Sequence, residues 1–154
     1  MERWIKPGFA VIGLEGSTEA GDGMVSRLWE AANSRFGEVA HLARRNADGA
    51  LMGVWGAMTD LQRRFLPWEE NFTRGLYLAG VECVDDAVPP PGWTRWEVPG
   101  FAYVRVRSDA PDVFARTLQQ LQAAGLPLVG AVQDFTDPAD GCAYMCFPVR
   151  RLDG

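Results

Sequence analysis

The chain has 154 residues, of which 47% are hydrophobic and 23% charged, a composition typical of a globular protein with a sizeable core. Its formal net charge is −5, and no basic patch of the kind that duplex DNA requires stands out, so we expect no direct nucleic-acid binding. The longest apolar run is far too short to cross a bilayer and the N-terminus lacks a signal-peptide pattern, so we expect a cytoplasmic protein without membrane contact.

The tetrapeptide Pro-Gly-Phe-Ala opens the first series of predicted elements, at residues 7–10. The apolar run 9–14 predicts a strand. Apolar residues then recur at spacings of three and four over 24–36, which predicts a helix with Asp22 as its N-cap and Gly37 as its stop. Two strand-like runs follow, at 51–58 and 75–84.

The same tetrapeptide returns at residues 99–102 and opens a second series. A strand is predicted over 101–106, and a helix over 113–124 that ends at Gly125. Two further strands, 128–135 and 142–149, are separated by a hairpin loop at 137–141.

Both halves therefore contain a strand, a helix and two strands, in that order. We predict an α+β fold in which two such modules, related by a pseudo-twofold axis, pack their helices on one face of a curved antiparallel sheet. The modules span about 7–84 and 93–150 of a single domain, and a linker at 85–92 with three consecutive prolines joins them in an extended conformation. The first half carries an additional segment, 59–74, which acts either as a flap or as a covering loop.

Several kinds of chemistry are missing from the sequence. The single histidine, His41, is more typical of a surface position, and without a second histidine the usual nucleophilic and multi-histidine metal sites are excluded unless His41 serves. The glycines form no phosphate-binding loop, the acidic residues lack calcium-loop spacing, and the three cysteines form no CxxC motif. We therefore expect neither a cofactor nor a metal.

Glu82 is the most unusual acidic residue in the pattern. It shares one face of its predicted strand with Leu76, Leu78 and Gly80, so it stands where the next apolar residue is expected. If that face is covered, the carboxylate must be protonated, paired or bound by a ligand, because burying it alone costs several kcal/mol. The alternative is that it meets water or an arginine, such as Arg95 or Arg105, at the end of the strand.

Aromatic residues are numerous, with six tryptophans. They serve either as packing in the core or as walls of a pocket for aromatic or cationic ligands. Tyr144 either offers its hydroxyl to such a pocket or packs as a ring. Besides Glu82, the candidate ligand-binding residues are Trp55, Tyr77, Trp93, Trp96, Tyr103, Tyr144 and Phe147, and they are too widely spread to share one face.

Five stretches resemble a known family. They are Gly53 to Met58, Gly75 to Glu82, Pro91 to Pro99, Val129 to Val132, and Tyr144 to Pro148. In these stretches the chain resembles the GyrI-like small-molecule-binding domains, which also form the effector-binding parts of bacterial multidrug and AraC-type regulators.

The resemblance implies a ligand cleft where the two modules meet, used for bulky, often aromatic and cationic compounds. Members commonly place a glutamate in that cleft, and Glu82 lies in a matching motif. Many members also have an acidic residue four positions before the proline of the last strand, where this chain has Tyr144. Some members of the broader family hydrolyse strained cyclopropane compounds.

The leading hypothesis is a stand-alone module that binds bulky aromatic, lipophilic cations, with Glu82 supplying the charge. A second hypothesis is a hydrolase of reactive cyclopropane-type molecules with Glu82 as general acid or base. A third is a module that binds a protein partner, in the manner of a gyrase inhibitor.

Overall fold

The computed structural model describes residues 2–152, and its main element is an eight-stranded sheet. All seven pairings between neighbouring strands are antiparallel. The strands are β1 (Glu2–Lys6), β2 (Phe9–Ser17), β3 (Val54–Thr59), β4 (Leu76–Cys83), β5 (Thr94–Val98), β6 (Phe101–Arg107), β7 (Gln133–Thr136) and β8 (Ala143–Arg151). The predicted α+β fold with a curved antiparallel sheet is confirmed.

The order of the strands is β1-β6-β8-β7-β3-β4-β2-β5. This order is symmetric between the two halves of the chain. When β1, β2, β3 and β4 trade places with β5, β6, β7 and β8 respectively, the strand order is the same one read from the opposite edge of the sheet. The two halves meet where β3 pairs with β7. Each half also lends a strand to the other, because β1 pairs with β6 and β5 pairs with β2.

The strands β1 and β5 were not predicted. Each comes just before a Pro-Gly-Phe-Ala copy and forms one edge of the sheet, where side chains such as Arg3 and Glu97 are exposed. Edge strands of this kind carry little apolar signal. At the turn after each, Gly8 and Gly100 approach closely, since a Cβ built on Gly100 would lie 3.1 Å from the backbone nitrogen of Gly8.

Two longer helices cover one face of the sheet. The helix α1 (Met24–Ser34) packs on β2 and β4 through a cluster that includes Ile12 and Ala79. The helix α3 (Val113–Ala123) packs on β6 to β8 through Val104, Leu121 and Phe147. A third, very short element, α2 (Glu69–Phe72), lies in the segment between β3 and β4.

The predicted boundaries are right for element type and differ in detail. The helix α1 begins after Gly23, whose positive φ of 82° suits glycine, so the prediction of Asp22 as N-cap is wrong. It ends at Ser34, before the predicted stop, because residues 36–38 form a separate 3-10 turn. Gly125 follows α3 with a φ of 71°, as expected of a glycine that ends a helix.

The face opposite the helices, which we call the aromatic face, is also covered. Its buried cluster includes Trp55, Leu78, Tyr103 and Phe135. Part of the cover comes from residues 61–66, where Phe65 packs edge-on against Trp96 at 5.9 Å. Both faces of the central strands are therefore buried, which explains the continuous burial of β4.

None of the helices described within residues 2–152 is long and apolar enough to span a membrane.

Two strands approach closely where Gly13 in β2 pairs with Gly80 in β4. A Cβ on Gly80 would lie 2.1 Å from the carbonyl oxygen of Ile12. We therefore expect Gly80→Ala to lower the free energy of unfolding by about 2 kcal/mol or more, because backbone atoms must separate to admit the methyl group. The control is Gly37→Ala, where no neighbour lies within 4 Å. Equal urea midpoints for the two variants would contradict this expectation.

Candidate functional site

A row of directly paired residues crosses the centre of the sheet and defines its helix face. Ala79 pairs with Gly56, Gly56 with Asp134, and Asp134 with Met145. Directly paired residues point to the same side of a sheet. Because Ala79 packs in the cluster under α1, Asp134 also points toward the helices. A carboxylate therefore lies on the helix face at the junction of the two halves.

Two aromatic side chains hold this carboxylate in a hydrogen-bonded chain. The Nε1 of Trp29 in α1 donates to the hydroxyl oxygen of Tyr77 at 2.8 Å. The Tyr77 hydroxyl in turn donates to Oδ2 of Asp134 at 3.3 Å. Gly56 provides the space, since a Cβ there would lie 2.0 Å from the Tyr77 hydroxyl oxygen. Only glycine at position 56 lets the phenol reach the carboxylate in this way.

Asp134 lines a cavity of about 320 Å³ between the two halves. Neither lysine nor arginine occurs among the described residues that line it, and Asp134 has no ion-pair partner within residues 2–152. Burial raises the pKa of Asp134 to about 6, against a smaller lowering by the hydrogen bond from Tyr77. Above that pH the cavity holds a negative charge that no lysine or arginine among its described lining residues neutralises.

Two apolar cavities lie on the same face. One, of about 210 Å³, extends under α1 and shares Trp29 and Val54 with the Asp134 cavity. The other, of about 230 Å³, lies between α3 and the short element α2. We call the three cavities together the helix-side groove. The groove thus has a charged centre with apolar space on two sides, and its 230 Å³ cavity is lined by Met58, Trp68, Phe72, Phe114 and Val132.

Glu82 lies on the aromatic face, and its charge is neutralised inside the protein. Its Oε1 is 2.9 Å from the ammonium of Lys6, and its Oε2 is 3.8 Å from the guanidinium of Arg44. The Lys6 ammonium also lies 4.5 Å from the centre of the Phe9 ring. Glu82 is 5% exposed, so the covered and paired alternative from the sequence holds.

The partner of Glu82 is not one of the arginines named from the sequence. Arg95 pairs with Glu97 and Arg105 pairs with Glu2. Lys6 belongs to β1, the edge strand that was not predicted, so its ion pair was not predicted either.

The sequence-predicted candidates divide between the two faces. Trp55, Trp96, Tyr103, Tyr144 and Glu82 belong to the aromatic face, and Tyr77, Trp93 and Phe147 belong to the helix side.

Two of these candidates, Tyr77 and Tyr144, line the Asp134 cavity. Trp93 instead donates to Glu38 beside α1, and Phe147 is buried under α3. The structure adds Asp134 and Trp29, which the sequence analysis did not select. The sequence did offer one signal: Asp134 stands two residues after Val132, so on a strand it shares a face with an apolar residue.

Comparison with known proteins supports the fold. No family model matches the chain, and no curated protein matches it significantly. Among solved structures, the chain is similar to SAV2435 bound to tetraphenylphosphonium, with a TM-score of 0.58 and 14% identity over 97% of this chain and 93% of that one. It is also similar to an integron cassette protein from the mobile metagenome of Vibrio cholerae, with a TM-score of 0.55 and 16% identity over 97% and 95%.

The Lys6–Glu82 pair can be tested with a double-mutant cycle. We expect Lys6→Met to lower the free energy of unfolding by about 3 kcal/mol, because it leaves a buried carboxylate with only the distant Arg44. Combining it with Glu82→Leu should restore much of that loss, since no charge is then buried. Chemical denaturation of the three variants and the wild type measures the coupling. A double variant as unstable as the two losses added together would show that the pair is not coupled.

Asp134 should make stability depend on pH in the direction opposite to most carboxylates. Its folded pKa of about 6 lies above the ordinary value of 3.8, so the folded state favours the protonated form. The contribution of Asp134 to the free energy of unfolding is therefore most favourable below about pH 4, and it is lost as the pH rises through about 6. Asp134→Asn should therefore be more stable than the wild type at pH 8, by an amount of order 2 kcal/mol, and similar to it at pH 4.

Thermal or urea unfolding at both pH values measures this difference. The matched control is Asp86→Asn, an exposed aspartate in the loop after β4, which should not change the pH profile. A variant at position 134 that is less stable than the wild type at pH 8 would contradict the assignment.

Proposed function

We propose that this protein is a binding module for bulky aromatic, lipophilic cations, which it takes up in the helix-side groove between its two halves. The observation that carries the proposal is the Asp134 carboxylate, which lies in a groove of aromatic rings without a lysine or arginine among the described lining residues. A ligand that brings both rings and a positive charge complements this groove.

The physical reason is the cost of the uncompensated charge. A buried carboxylate without a partner is unfavourable, and its raised pKa is one expression of that cost. A ligand cation beside Asp134 removes it. The rings of Trp29 and Tyr77 add cation–π attraction, which contributes roughly 0.5–2 kcal/mol per contact. Neutral ligands of the same shape lack both contributions, so the groove favours cations.

We assign charge recognition to Asp134 instead of Glu82. The sequence-based proposal for Glu82 requires a free carboxylate, whereas Lys6 already lies 2.9 Å from it.

Tyr77 keeps its proposed role as a wall, because it lies on the helix face and lines the same cavity as Asp134. The ring of Tyr144 instead lies on the aromatic face, beside Phe135. Trp93 lines the cavity of about 210 Å³ in the helix-side groove, and the remaining aromatic candidates serve the packing of the sheet.

The fold gives further support of a general kind. The strand order supports the proposal of two modules, 7–84 and 93–150, related by a pseudo-twofold repeat with a cleft between them. One similar structure contains a bulky aromatic cation, tetraphenylphosphonium. Membership of the GyrI-like family is part of this proposal.

One observation favours a second candidate function, acid-assisted hydrolysis of a reactive cyclopropane-type molecule. A carboxyl group with a pKa of about 6 is suited to general acid catalysis near neutral pH, and Tyr77 orients it. In that case Asp134 would act on the substrate in its protonated form. The two functions therefore require opposite protonation states of one side chain.

The test is a calorimetric titration with tetraphenylphosphonium, supported by the fluorescence of Trp29 and the other tryptophans. We expect Asp134→Asn to weaken binding more than tenfold, and wild-type affinity to fall as pH drops below about 6, because the carboxylate is then protonated. Asp86→Asn serves as the control. Binding that is unchanged by Asp134→Asn would overturn the proposal, and mass-spectrometric detection of a ring-opened product from a cyclopropane substrate would favour the hydrolase.

A further inference from the structure

The short element α2 has an unusual backbone. Glu70, Asn71 and Phe72 have φ values of 51°, 58° and 65°, which lie in the left-handed region. Each non-glycine residue in this region costs conformational free energy because its Cβ crowds the neighbouring carbonyl oxygen. Three in succession are rare, and such backbone outliers persist only where the surrounding structure holds them.

The strained turn presents the Phe72 ring to the other half of the protein. This ring packs edge-on against Phe114 of α3, with centres 5.2 Å apart and planes at 80°. Phe114 in turn lies 5.7 Å from the Phe147 ring on β8. The N-terminal end of the same segment is fixed differently, since Trp68 donates from Nε1 to the carbonyl oxygen of Leu76 at 3.1 Å. The segment therefore reaches across the groove and contacts α3 through Phe72.

A hollow remains beneath this contact. It is the apolar cavity of about 230 Å³, and two of its five lining residues, Trp68 and Phe72, come from the strained segment. The remaining lining residues are also apolar, so the hollow offers no hydrogen-bonding side chain other than the indole of Trp68, which is already bonded to Leu76. Its shape and chemistry suit an uncharged aromatic ring.

The hollow lies at a fixed distance from the charged centre. Val132, just before β7, lines it, and Asp134 is two residues further along the chain. Likewise Met58 lines it, and Gly56 is two residues away along β3. Two residues of strand span about 7 Å. The residues that line the hollow therefore lie about 7 Å along the sheet from Asp134. The outer edge of an aryl group joined directly to a cation beside Asp134 approaches them, and a linker of one or two atoms carries the ring further into the hollow.

We propose that this hollow is an aromatic-arm subsite and that Phe72 is its specificity-determining residue. The inference rests on the proposed function, because it assumes a cation beside Asp134. The hollow then accounts for the aromatic part of the proposed ligand class, because it holds one rigid aryl arm of the cation. The strained turn keeps Phe72 against the arm, so that discrimination between aryl and alkyl cations depends on this ring.

The experiment compares two cations of equal charge, tetraphenylphosphonium and tetrabutylammonium, by calorimetry. Phe72→Ala should weaken tetraphenylphosphonium binding about three- to tenfold, as expected for the loss of a ring–ring contact, and change tetrabutylammonium binding less than twofold. Phe72→Leu keeps apolar bulk at this position and should show the same selective loss if Phe72→Ala folds poorly. The matched control is Phe65→Ala, which removes an edge-on ring of the same segment from the aromatic face.

The outcomes separate this inference from the proposed function. If the wild type binds neither cation, or Asp134→Asn leaves both affinities unchanged, the proposed function fails and the subsite falls with it. If Asp134→Asn weakens both cations while the Phe72 variants weaken neither, or weaken both equally, the subsite alone is overturned. A loss confined to tetraphenylphosphonium in the Phe72 variants and absent from Phe65→Ala supports it.

Discussion

The pairing of β3 with β7 is the interaction on which the site depends. It joins the two halves into one sheet and sets Gly56 directly opposite Asp134. A shift of one residue in this register would turn Asp134 to the aromatic face, because side chains alternate along a strand. Because Gly56 lacks a side chain, the Tyr77 hydroxyl can occupy the space beside that carboxylate. Position, partner and exposure of the carboxylate all follow from this short ladder of hydrogen bonds.

The protein treats the carboxylates of Glu82 and Asp134 in opposite ways. On the aromatic face, Glu82 is neutralised by Lys6, which comes from the other end of the fold through β1, so this face is a closed core. On the helix face, Asp134 receives only hydrogen bonding from Tyr77. The two partners of an ion pair in the core neutralise each other, whereas a carboxylate without a countercharge in a groove can pair with a cationic ligand. The contrast in electrostatics, more than the number of aromatic rings, distinguishes a packed face from a binding face.

Much of the fold could be predicted, because strong periodicity specified both long helices and six of the strands. The candidate site could be predicted only in part. Alternation along a strand identifies a functional polar residue when its neighbours are apolar, but Gln133 beside Asp134 is also polar and is buried on the opposite face, so Asp134 did not stand out. Glu82 did stand out, yet alternation cannot reveal that a lysine from a distant edge strand supplies its countercharge.

By itself, the amino-acid sequence determined the type and order of both long helices and six of the strands, since local apolar spacing selects helix or strand and the repeated Pro-Gly-Phe-Ala marks two similar halves. The tertiary structure decided which carboxylate is free. That outcome depends on the strand register and on the pairing of β1 and β5 with strands of the opposite half. Both are set by contacts between residues far apart in the chain. The strand β1 belongs to the first half of the chain but pairs with β6 of the second half. In that position its Lys6 lies 2.9 Å from Glu82 of the first half. Non-local pairing of this kind leaves no periodic trace in the sequence.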